Sequence, residues 1–494
     1  MKTGTGDRVT LGRWLCFLCV ALGAFMDFTD STMINIALPA IARHFQVSIS
    51  AIEVVVTSYL LMISVLVITF GRVADIYGRK RLYVAGFAAF ALASALCGSA
   101  TTVWMLVAFR CLQGIGAALL IANGVAVLTE TFPEKERGKA LGTLGSMIGV
   151  SVIVGPILGG LLTDYLGWRA VFFVHVVTGT AGFLLATKFI PSRPAQQHKE
   201  RFDAGGAITF IASLSCFLVL INVLSKPDRE PAVVIGLLIA TLILGAAFLS
   251  IESRVEHPLL DLSLFGRRTF SAASTSAYLI QIAFAMVAFL LPFYLDRVLL
   301  LSPTSSGYIL APIAIFLVVV SPLGGYLADR FGTRSIAATG ALTNCLGLLL
   351  LSTVDTQTSS IGVVLRLIPV GVGGGLFIPA NNSAIMGAVP GNRYGIASGM
   401  IGALRNFGSM SGVAVSSLVF AFAHSKELEK LKDLNIPGEL AERQAFASSV
   451  RMVFLLGAGI CLISALASII RDKSKATDER ENLAAPGEAR NTIL

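Results

Sequence analysis

Charged residues are scarce in this chain. Aspartate, glutamate, lysine and arginine together make up 14% of the 494 residues, whereas hydrophobic residues make up 55%. The mean hydropathy is +0.79. Because a soluble globular protein carries about a quarter charged residues, this composition excludes that class. We predict an all-α integral membrane protein, since helices satisfy their own backbone hydrogen bonds in lipid.

Groups that carry out enzyme chemistry are also few. The chain has five histidines, and its seven cysteines all lie in apolar segments, with no pair in a loop. No nucleophile has an adjacent base, and the glycine-rich stretch 371–375 lacks the Lys-Ser or Lys-Thr that follows in a nucleotide-binding loop. We therefore expect no enzymatic activity, no disulfide, no metal and no cofactor.

Basic residues exceed acidic ones, which gives a net charge of +9. They are spread between the apolar segments and form no extended basic face, so the predicted partner is the lipid bilayer and not a nucleic acid. They are concentrated in alternate loops, on the side that includes both ends of the chain. By the positive-inside rule, both termini of this multi-pass protein are predicted to lie on the cytoplasmic side of the cell (inner) membrane.

Fourteen apolar segments predict fourteen transmembrane helices. The polar tail after the last segment, 471–494, is predicted to be disordered and cytoplasmic. The longest outer segment, 425–443, is expected to be a short amphipathic helix on the membrane surface or a solvated connector. The predicted spans are 14–39, 51–71, 82–99, 103–128, 140–163, 168–190, 205–224, 232–251, 270–293, 306–325, 335–353, 361–387, 396–423 and 448–470.

A polar, basic turn lies between the second and third spans and recurs between the tenth and eleventh. Its glycines allow a tight turn, and its acid lies near helix ends that can donate hydrogen bonds to it. We interpret the turn as a gating latch, and the alternative is an ordinary positively charged loop. The first copy contains Gly71, Asp75, Gly78 and Arg79, and the second contains Gly325, Asp329, Gly332 and, in place of the arginine, Thr333.

The repetition extends beyond this turn. A second pattern also occurs twice. Its first copy consists of Arg110, the glycines that follow it and Asn123, and its second copy consists of Arg366, the glycines that follow it and Asn381. Six spans therefore match six others. We predict an N-terminal six-helix half over 1–200, an inserted helix pair over 201–262 and a C-terminal six-helix half over 263–470. Such repeats are typical of alternating-access transporters, in which the substrate site lies between the halves near the midplane.

Several stretches resemble motifs of the major facilitator superfamily, in particular those of its fourteen-span drug:proton antiporters of the quaternary-ammonium and multidrug type. The resemblance covers nearly the whole chain and departs at Ser151 and His175, where glycine and asparagine are usual. It implies a proton antiporter for drugs, with Asp75 holding the cytoplasmic side shut. It also implies an antiporter motif made of Gly155, Pro156, Gly159 and Gly160. The matching stretches are 30–39, 71–81, 110–116, 155–160 and 258–262.

Ionisable residues inside the spans are few, and each is expensive in lipid unless it has a function. Asp27 and Asp30 share one face of the first span, and Arg110 and Gln113 share one face of the fourth. The helical rise places Asp30 and Arg110 at a similar depth, so they can meet. We predict that Asp30, with Asp27 as its neighbour, carries the coupling proton and that Arg110 tunes it. Interhelical hydrogen bonding is the alternative role.

The leading hypothesis is a monomeric, proton-coupled exporter of lipophilic, cationic small molecules. A dedicated metabolite or organic-anion exporter is the alternative, in which Arg110 and Arg405 bind the substrate, and the charges in the cavity discriminate between the two. A receptor or assembly subunit is disfavoured because the coupling motifs are intact. The predicted cavity residues are Gln113, Asn381, Arg405 and Asn406.

Overall fold

The structure is a computed structural model that describes residues 4–191, 204–224, 229–255, 262–389, 394–434 and 436–470. These ranges form α helices and one short 3-10 helix, Leu262–Gly266, and they contain no strand, which confirms the all-α class. The predicted tail and the motif residues 258–261 lie outside the described residues. The helices are α1 (Gly4–Phe45), α2 (Ile49–Tyr77), α3 (Arg79–Gly98), α4 (Val103–Thr131), α5 (Glu134–Tyr165), α6 (Ala170–Phe189), α7 (Ala204–Leu224), α8 (Pro231–Glu252), α9 (Arg268–Arg297), α10 (Pro303–Phe331), α11 (Thr333–Leu351), α12 (Ser360–Gly387), α13 (Tyr394–Asp433) and α14 (Gly438–Ile469).

Thirteen of the described helices are long and apolar enough to cross a membrane, which confirms a multi-pass membrane protein. The remaining helix, α7, carries a shorter apolar stretch, Ile208–Ile221. Only 6% of the apolar window of α8 is buried within the protein. This helix therefore lies at the periphery, packed against α7.

The expected surface helix over 425–443 is not present as a separate element. Its first part continues α13 as far as Asp433, and its second part begins α14 at Gly438. Leu431 packs there against Ala441 and Ala445. The alternation of charged and apolar residues thus reflects the ends of two long helices that remain in contact there, and the prediction of a separate helix was wrong.

The two copies of the basic turn have the same backbone conformation. Gly78 separates α2 from α3 with a φ of 96°, and Gly332 separates α10 from α11 with a φ of 87°. Each glycine donates its backbone N–H at 2.9 Å to a carbonyl four residues earlier, which ends the preceding helix. Only glycine adopts this conformation without strain, which is the physical reason for the residue at both positions.

Helices α1–α6 pack among themselves, and so do α9–α14, with corresponding pairs in contact. In the first set α3 and α2 each pack on α4, α1 packs on α5, and α3 packs on α6. In the second set α11 and α10 each pack on α12, α9 packs on α13, and α11 packs on α14. The sets meet where α2 contacts α13 and where α5 contacts α10. We call them the N-terminal and C-terminal sets.

The ends of the bundle are named by the turns that they carry. The α1–α2 face holds the turn between α1 and α2, and the α2–α3 face holds the turn at Gly78. Because successive helices alternate in direction, the start of α10 lies at the α1–α2 face and the turn at Gly332 lies at the α2–α3 face.

Candidate functional site

A cavity of about 1010 Å³ lies between the N-terminal and C-terminal sets. Its walls come from α1, α2, α4 and α5 on one side and from α9, α10, α12 and α13 on the other. Most of the lining side chains are apolar or aromatic, as in sites for small organic ligands. The charged residues that line it are Asp27, Arg110 and Arg405.

The two sets close against each other at the α1–α2 face. The guanidinium of Arg43, near the end of α1, pairs with the carboxylate of Asp296, near the end of α9. Helix α5 meets α10 there so tightly that a β-carbon on Gly160 would lie 2.5 Å from the carbonyl oxygen of Pro303. Toward the α2–α3 face Gly142 of α5 lines the cavity, and a β-carbon on it would have no neighbour within 4 Å. The cavity is therefore closed at one face and open toward the other.

A closed network of hydrogen bonds joins Asp30, Arg110 and Gln113 beside the cavity. Nη1 of Arg110 donates to Oδ2 of Asp30 and to Oε1 of Gln113, each at 2.7 Å. Nε2 of Gln113 donates to Oδ1 of Asp30 at 2.9 Å and to Oγ of Ser94 at 3.0 Å. All three side chains of the ring are fully buried. Nη2 of Arg110, in contrast, has no hydrogen-bond partner among the described residues. Because the ion pair is buried, removal of either partner leaves an uncompensated charge.

Arg110 is also held from α2. Its Nε donates to the carbonyl oxygen of Val55 at 3.3 Å, and its guanidinium carbon lies 4.0 Å from the centroid of the Tyr59 ring. The hydroxyl of Tyr59 donates to Oδ1 of Asp27 at 2.7 Å. Tyr59 therefore connects the two aspartates of α1, because it stacks on the partner of Asp30 and binds Asp27 directly.

His175 of α6 also lies beside Asp30. Its Nε2 is 3.7 Å from Oδ1 of the aspartate, and its ring packs edge-on against Phe90. Neither imidazole nitrogen has a hydrogen-bond partner among the described residues. This histidine is one of the two positions at which the sequence departs from the motifs that it resembles. Here it places a titratable group next to the predicted proton carrier.

The structure brings Asp30 and Arg110 together and places three of the four predicted cavity residues in the cavity. Asn381, Arg405 and Asn406 line the cavity, whereas Gln113 lies behind its wall and binds Asp30. Nδ2 of Asn381 donates to the carbonyl oxygen of Ala273 at 3.1 Å. Asn381 therefore joins α12 to α9 as well as facing the cavity.

The antiporter-motif residues of α5 point in two directions. Gly155 and Gly159 face α1, where β-carbons would collide with Thr32 and with the backbone of Met33. Gly160 and Pro156 face α10, where the carbonyl oxygen of Pro156 fills the space beside Gly307. One face of the motif thus packs the N-terminal set internally. The other makes the contact between the two sets.

The gating-motif residues lie at the α2–α3 face. Nη1 of Arg79 pairs with Oε1 of Glu130, at the end of α4, at 2.8 Å. Asp329 is exposed near the end of α10. The side chain of Asp75 lies outside the described residues, so its predicted role as a latch stays a prediction.

Sequence reasoning missed Glu53, a buried carboxyl group at the contact between the sets. It lies on α2 near the α1–α2 face, is 1% exposed and faces the hydroxyl of Ser417 on α13. Its Oε2 has no hydrogen-bond partner among the described residues. A single acid in an apolar segment was the available signal, because such a residue is costly in lipid.

Known proteins with related sequences and structures are transporters. The model of the family "Major Facilitator Superfamily" matches residues 20–412 and 273–491. The chain is 29% identical over 446 residues to the riboflavin transporter RibZ of Clostridioides difficile (strain 630), which covers 90% of this chain and 96% of that one. It is 32% identical over 426 residues to the multidrug resistance protein Stp of Mycobacterium tuberculosis (strain CDC 1551 / Oshkosh), covering 86% and 79%.

Two further comparisons agree. The tetracenomycin C resistance and export protein of Streptomyces glaucescens is 30% identical over 409 residues, covering 83% of this chain and 76% of that one. The crystal structure of a bacterial homolog of the human lysosomal transporter Spinster, inward-facing and unoccupied, is similar with a TM-score of 0.70 and 16% identity, covering 95% and 98%. On this sequence match and this fold, the chain belongs to the Major Facilitator Superfamily.

Proposed function

We propose that this protein is a proton-coupled exporter of lipophilic small molecules that works by alternating access. The observation that carries the proposal is the fully buried ring of Asp30, Arg110 and Gln113 at the wall of a cavity that is closed at one face. Intramembrane ion pairs of this kind are expensive and mark proton or substrate pathways.

The architecture supports the transport cycle. The corresponding packing of α1–α6 and of α9–α14 favours two six-helix repeats, and α7 with α8 then forms the inserted pair of a fourteen-span antiporter. With the basic turns in the cytoplasm, the α2–α3 face is the inner one and the cavity is open inward. Export then requires that the contacts of α5 with α10 and of α2 with α13 separate, while the α2–α3 face closes.

In this cycle Asp30 gains and loses the coupling proton. Protonation of its carboxylate weakens the pairing with Arg110, and the freed guanidinium then depends on Gln113 and on the Tyr59 ring. The connection through Tyr59 to Asp27 transmits this change to the wall of the cavity. The position of the side chains at the substrate site therefore depends on whether Asp30 is protonated or ionised. Such a dependence is the minimum requirement for coupling of proton and substrate binding.

The antiporter motif and the basic turns are assigned mechanical roles in this proposal. Gly160 and Pro156 allow the close contact with α10 that must form and separate in each cycle. Asp75 and Asp329 are the acids of the two turns at the inner face, where closure would occur when the outer face opens.

For the charge of the substrate, the cavity favours a second candidate beside the cationic drug. Asp27 suits a cation, but Arg405 also lines the cavity, which supports a metabolite or organic-anion exporter on the same fold. The names of the relatives fit both candidates, since they include a riboflavin transporter and multidrug resistance proteins.

The proposal is tested by counterflow in proteoliposomes with a panel of cationic and anionic dyes. We expect accumulation against a concentration gradient when a proton gradient is imposed, and its collapse with a protonophore. Asp164→Asn, on the exposed end of α5, is the matched control for substitutions of buried aspartates. Accumulation that does not depend on the proton gradient would contradict the coupling.

A further inference from the structure

Arg405 is the charged group of the cavity whose role the proton-coupling network does not explain. It lies on α13 of the C-terminal set, and its guanidinium carbon stands 4.9 Å from the centroid of the Phe28 ring on α1. Both side chains line the cavity. The contact therefore spans the space between the two sets, where a substrate would be held.

The guanidinium of Arg405 is available to a ligand. In the part of the chain that the structure describes, it donates no hydrogen bond and has no carboxylate oxygen within 4.0 Å. The other cavity arginine, Arg110, is different, because Asp30, Gln113 and the carbonyl of Val55 accept hydrogen bonds from its Nε and Nη1, which leaves only Nη2 without a partner among the described residues. An arginine at membrane depth needs water or an anionic partner, and its planar fork of N–H groups matches a carboxylate.

Asp27 is an acid of the same cavity that acts electrostatically on Arg405. Its Oδ1 already accepts the hydrogen bond of Tyr59 at 2.7 Å, and its side chain is 4% exposed. The cavity thus contains one separated acid and one separated guanidinium, while the buried pair of Asp30 and Arg110 adds no net charge. A simple lipophilic cation would be attracted by Asp27 and repelled by Arg405.

We propose that Arg405 and Phe28 form a subsite for the ionised acid group of a planar aromatic substrate, with Asp27 facing a positive or donor group on the same molecule. The acid pairs with the Arg405 fork, and the aromatic frame packs on the apolar and aromatic lining near Phe28. Asn406 and Ser409, on the same wall, add hydrogen-bonding groups beside the fork. This inference rests on the proposed function, because it names the substrate class of the same cavity.

The test uses two dyes that share one aromatic frame. Rhodamine 110 carries a free carboxylate, and rhodamine 123 is its methyl ester. Their dissociation constants are measured by fluorescence anisotropy with the full-length protein in nanodiscs, without a proton gradient. We expect rhodamine 110 to bind about tenfold more tightly than rhodamine 123, since a hydrogen-bonded charge pair contributes that much.

Three variants identify the group responsible. Arg405→Gln should remove the preference between the dyes, and Arg405→Lys should retain part of it through charge alone. Arg366→Gln is the matched control, because that guanidinium donates to the carbonyl oxygens of Leu350 and Gly362 and does not line the cavity. If Arg405→Gln does not fold, Phe28→Leu provides a second test, since it should weaken binding of both dyes.

Equal binding of the two dyes by the wild type, a preference that persists in Arg405→Gln, or no binding of either dye would each overturn this inference. None of these outcomes concerns proton coupling, which counterflow measures separately. Conversely, transport that is independent of the proton gradient, with the dye preference intact, would contradict the proposed function and leave the subsite in place.

Discussion

The guanidinium of Arg110 lies 2.7 Å from the carboxylate of Asp30, and neither side chain is exposed to solvent. The pair is closed into a ring by Gln113, which accepts from the arginine and donates to the aspartate. Because these three side chains bond one another away from solvent, a change at any of them leaves buried polar groups without partners. This property makes the ring both rigid at rest and sensitive to a single proton.

The first prediction concerns Asp30→Asn. The amide cannot be ionised, so we expect transport against a gradient to be abolished while downhill exchange of a neutral or weakly basic substrate survives. Proton release on substrate addition, measured in detergent with a pH-sensitive dye, should disappear. Because the variant leaves Arg110 without its carboxylate, stability should also fall by a few kcal/mol.

Two comparisons make this prediction specific. Asp27→Asn should have the milder effect, since Asp27 is bonded to Tyr59 and not to the arginine. Asp164→Asn, at an exposed position, should behave as the wild type. Proton release at the wild-type level from Asp30→Asn would move the carrier role to Asp27, His175 or another group.

The second prediction concerns Arg110→Lys. Lysine keeps the charge, but its single ammonium cannot serve Asp30, Gln113 and the carbonyl of Val55 in a planar arrangement, and it loses the stacking on Tyr59. We expect a loss of stability of about 2 kcal/mol or more and uncoupled proton leak. Thermal unfolding and proton flux without substrate measure the two effects.

Arg366→Lys is the control for that substitution. It occupies the position in the second repeated sequence that corresponds to Arg110, yet its guanidinium bonds backbone carbonyls outside the cavity. Normal coupling in Arg110→Lys would show that a positive charge at this position is sufficient. The planar arrangement of hydrogen bonds in the ring would then not be required.

The third prediction concerns Gly160→Ala. The added methyl group would collide with the carbonyl oxygen of Pro303, a backbone atom that cannot move away without a shift of α10. We expect the N-terminal and C-terminal sets to separate at the α1–α2 face. Distances between spin labels at the ends of α5 and α10 should lengthen, and transport should slow.

Two glycines of the same helix serve as controls. Gly142→Ala places its methyl group in open space and should leave the distances unchanged. Gly155→Ala should instead lower stability, because its methyl group meets Thr32 within the N-terminal set. If Gly160→Ala lowers stability and leaves the distances unchanged, the contact of α5 with α10 does not separate during transport, which would contradict this prediction.

The sequence allowed good prediction of which residues form the network, but not of everything around it. Asp30 and Arg110 were expected to be able to meet because the helical rise places them at a similar depth, and the structure brings them into contact. Gln113 was expected in the cavity, although its spacing of three residues from Arg110 puts it on the same face. Tyr59 and His175 were not assigned to the network, because the rotation of α2 and α6 about their axes is set by packing between helices.

Helix ends show a similar limit. The fifth span was predicted over 140–163, whereas α5 runs from Glu134 to Tyr165. The apolar run in the sequence ends where the apolar environment ends. The backbone hydrogen bonds of the helix continue into water, so a helix can be longer than the span predicted from hydropathy. The segment 425–443 was misread for the same reason, since charged residues there belong to α13 and α14.

The last prediction concerns the ion pair of Arg43 and Asp296, which joins α1 to α9 at the α1–α2 face. The arginine side chain is 52% exposed and the aspartate 12%, so the pair is partly screened by solvent. Such pairs contribute about 1 kcal/mol at most, which corresponds to about a fivefold change in the ratio of closed to open molecules. Asp296→Arg should therefore favour opening of this face, because two guanidinium groups then repel each other.

The charge swap distinguishes this electrostatic role from simple damage to packing. Arg43→Asp combined with Asp296→Arg restores an opposite pair, so the double variant should recover the closed distances between spin labels at the ends of α1 and α9. The difference between Asp296→Arg and the double variant should shrink as salt is raised, since partly exposed charges are screened. Failure of the double variant to recover, with both single variants folded, would show that the pair does not contribute to closure of the α1–α2 face.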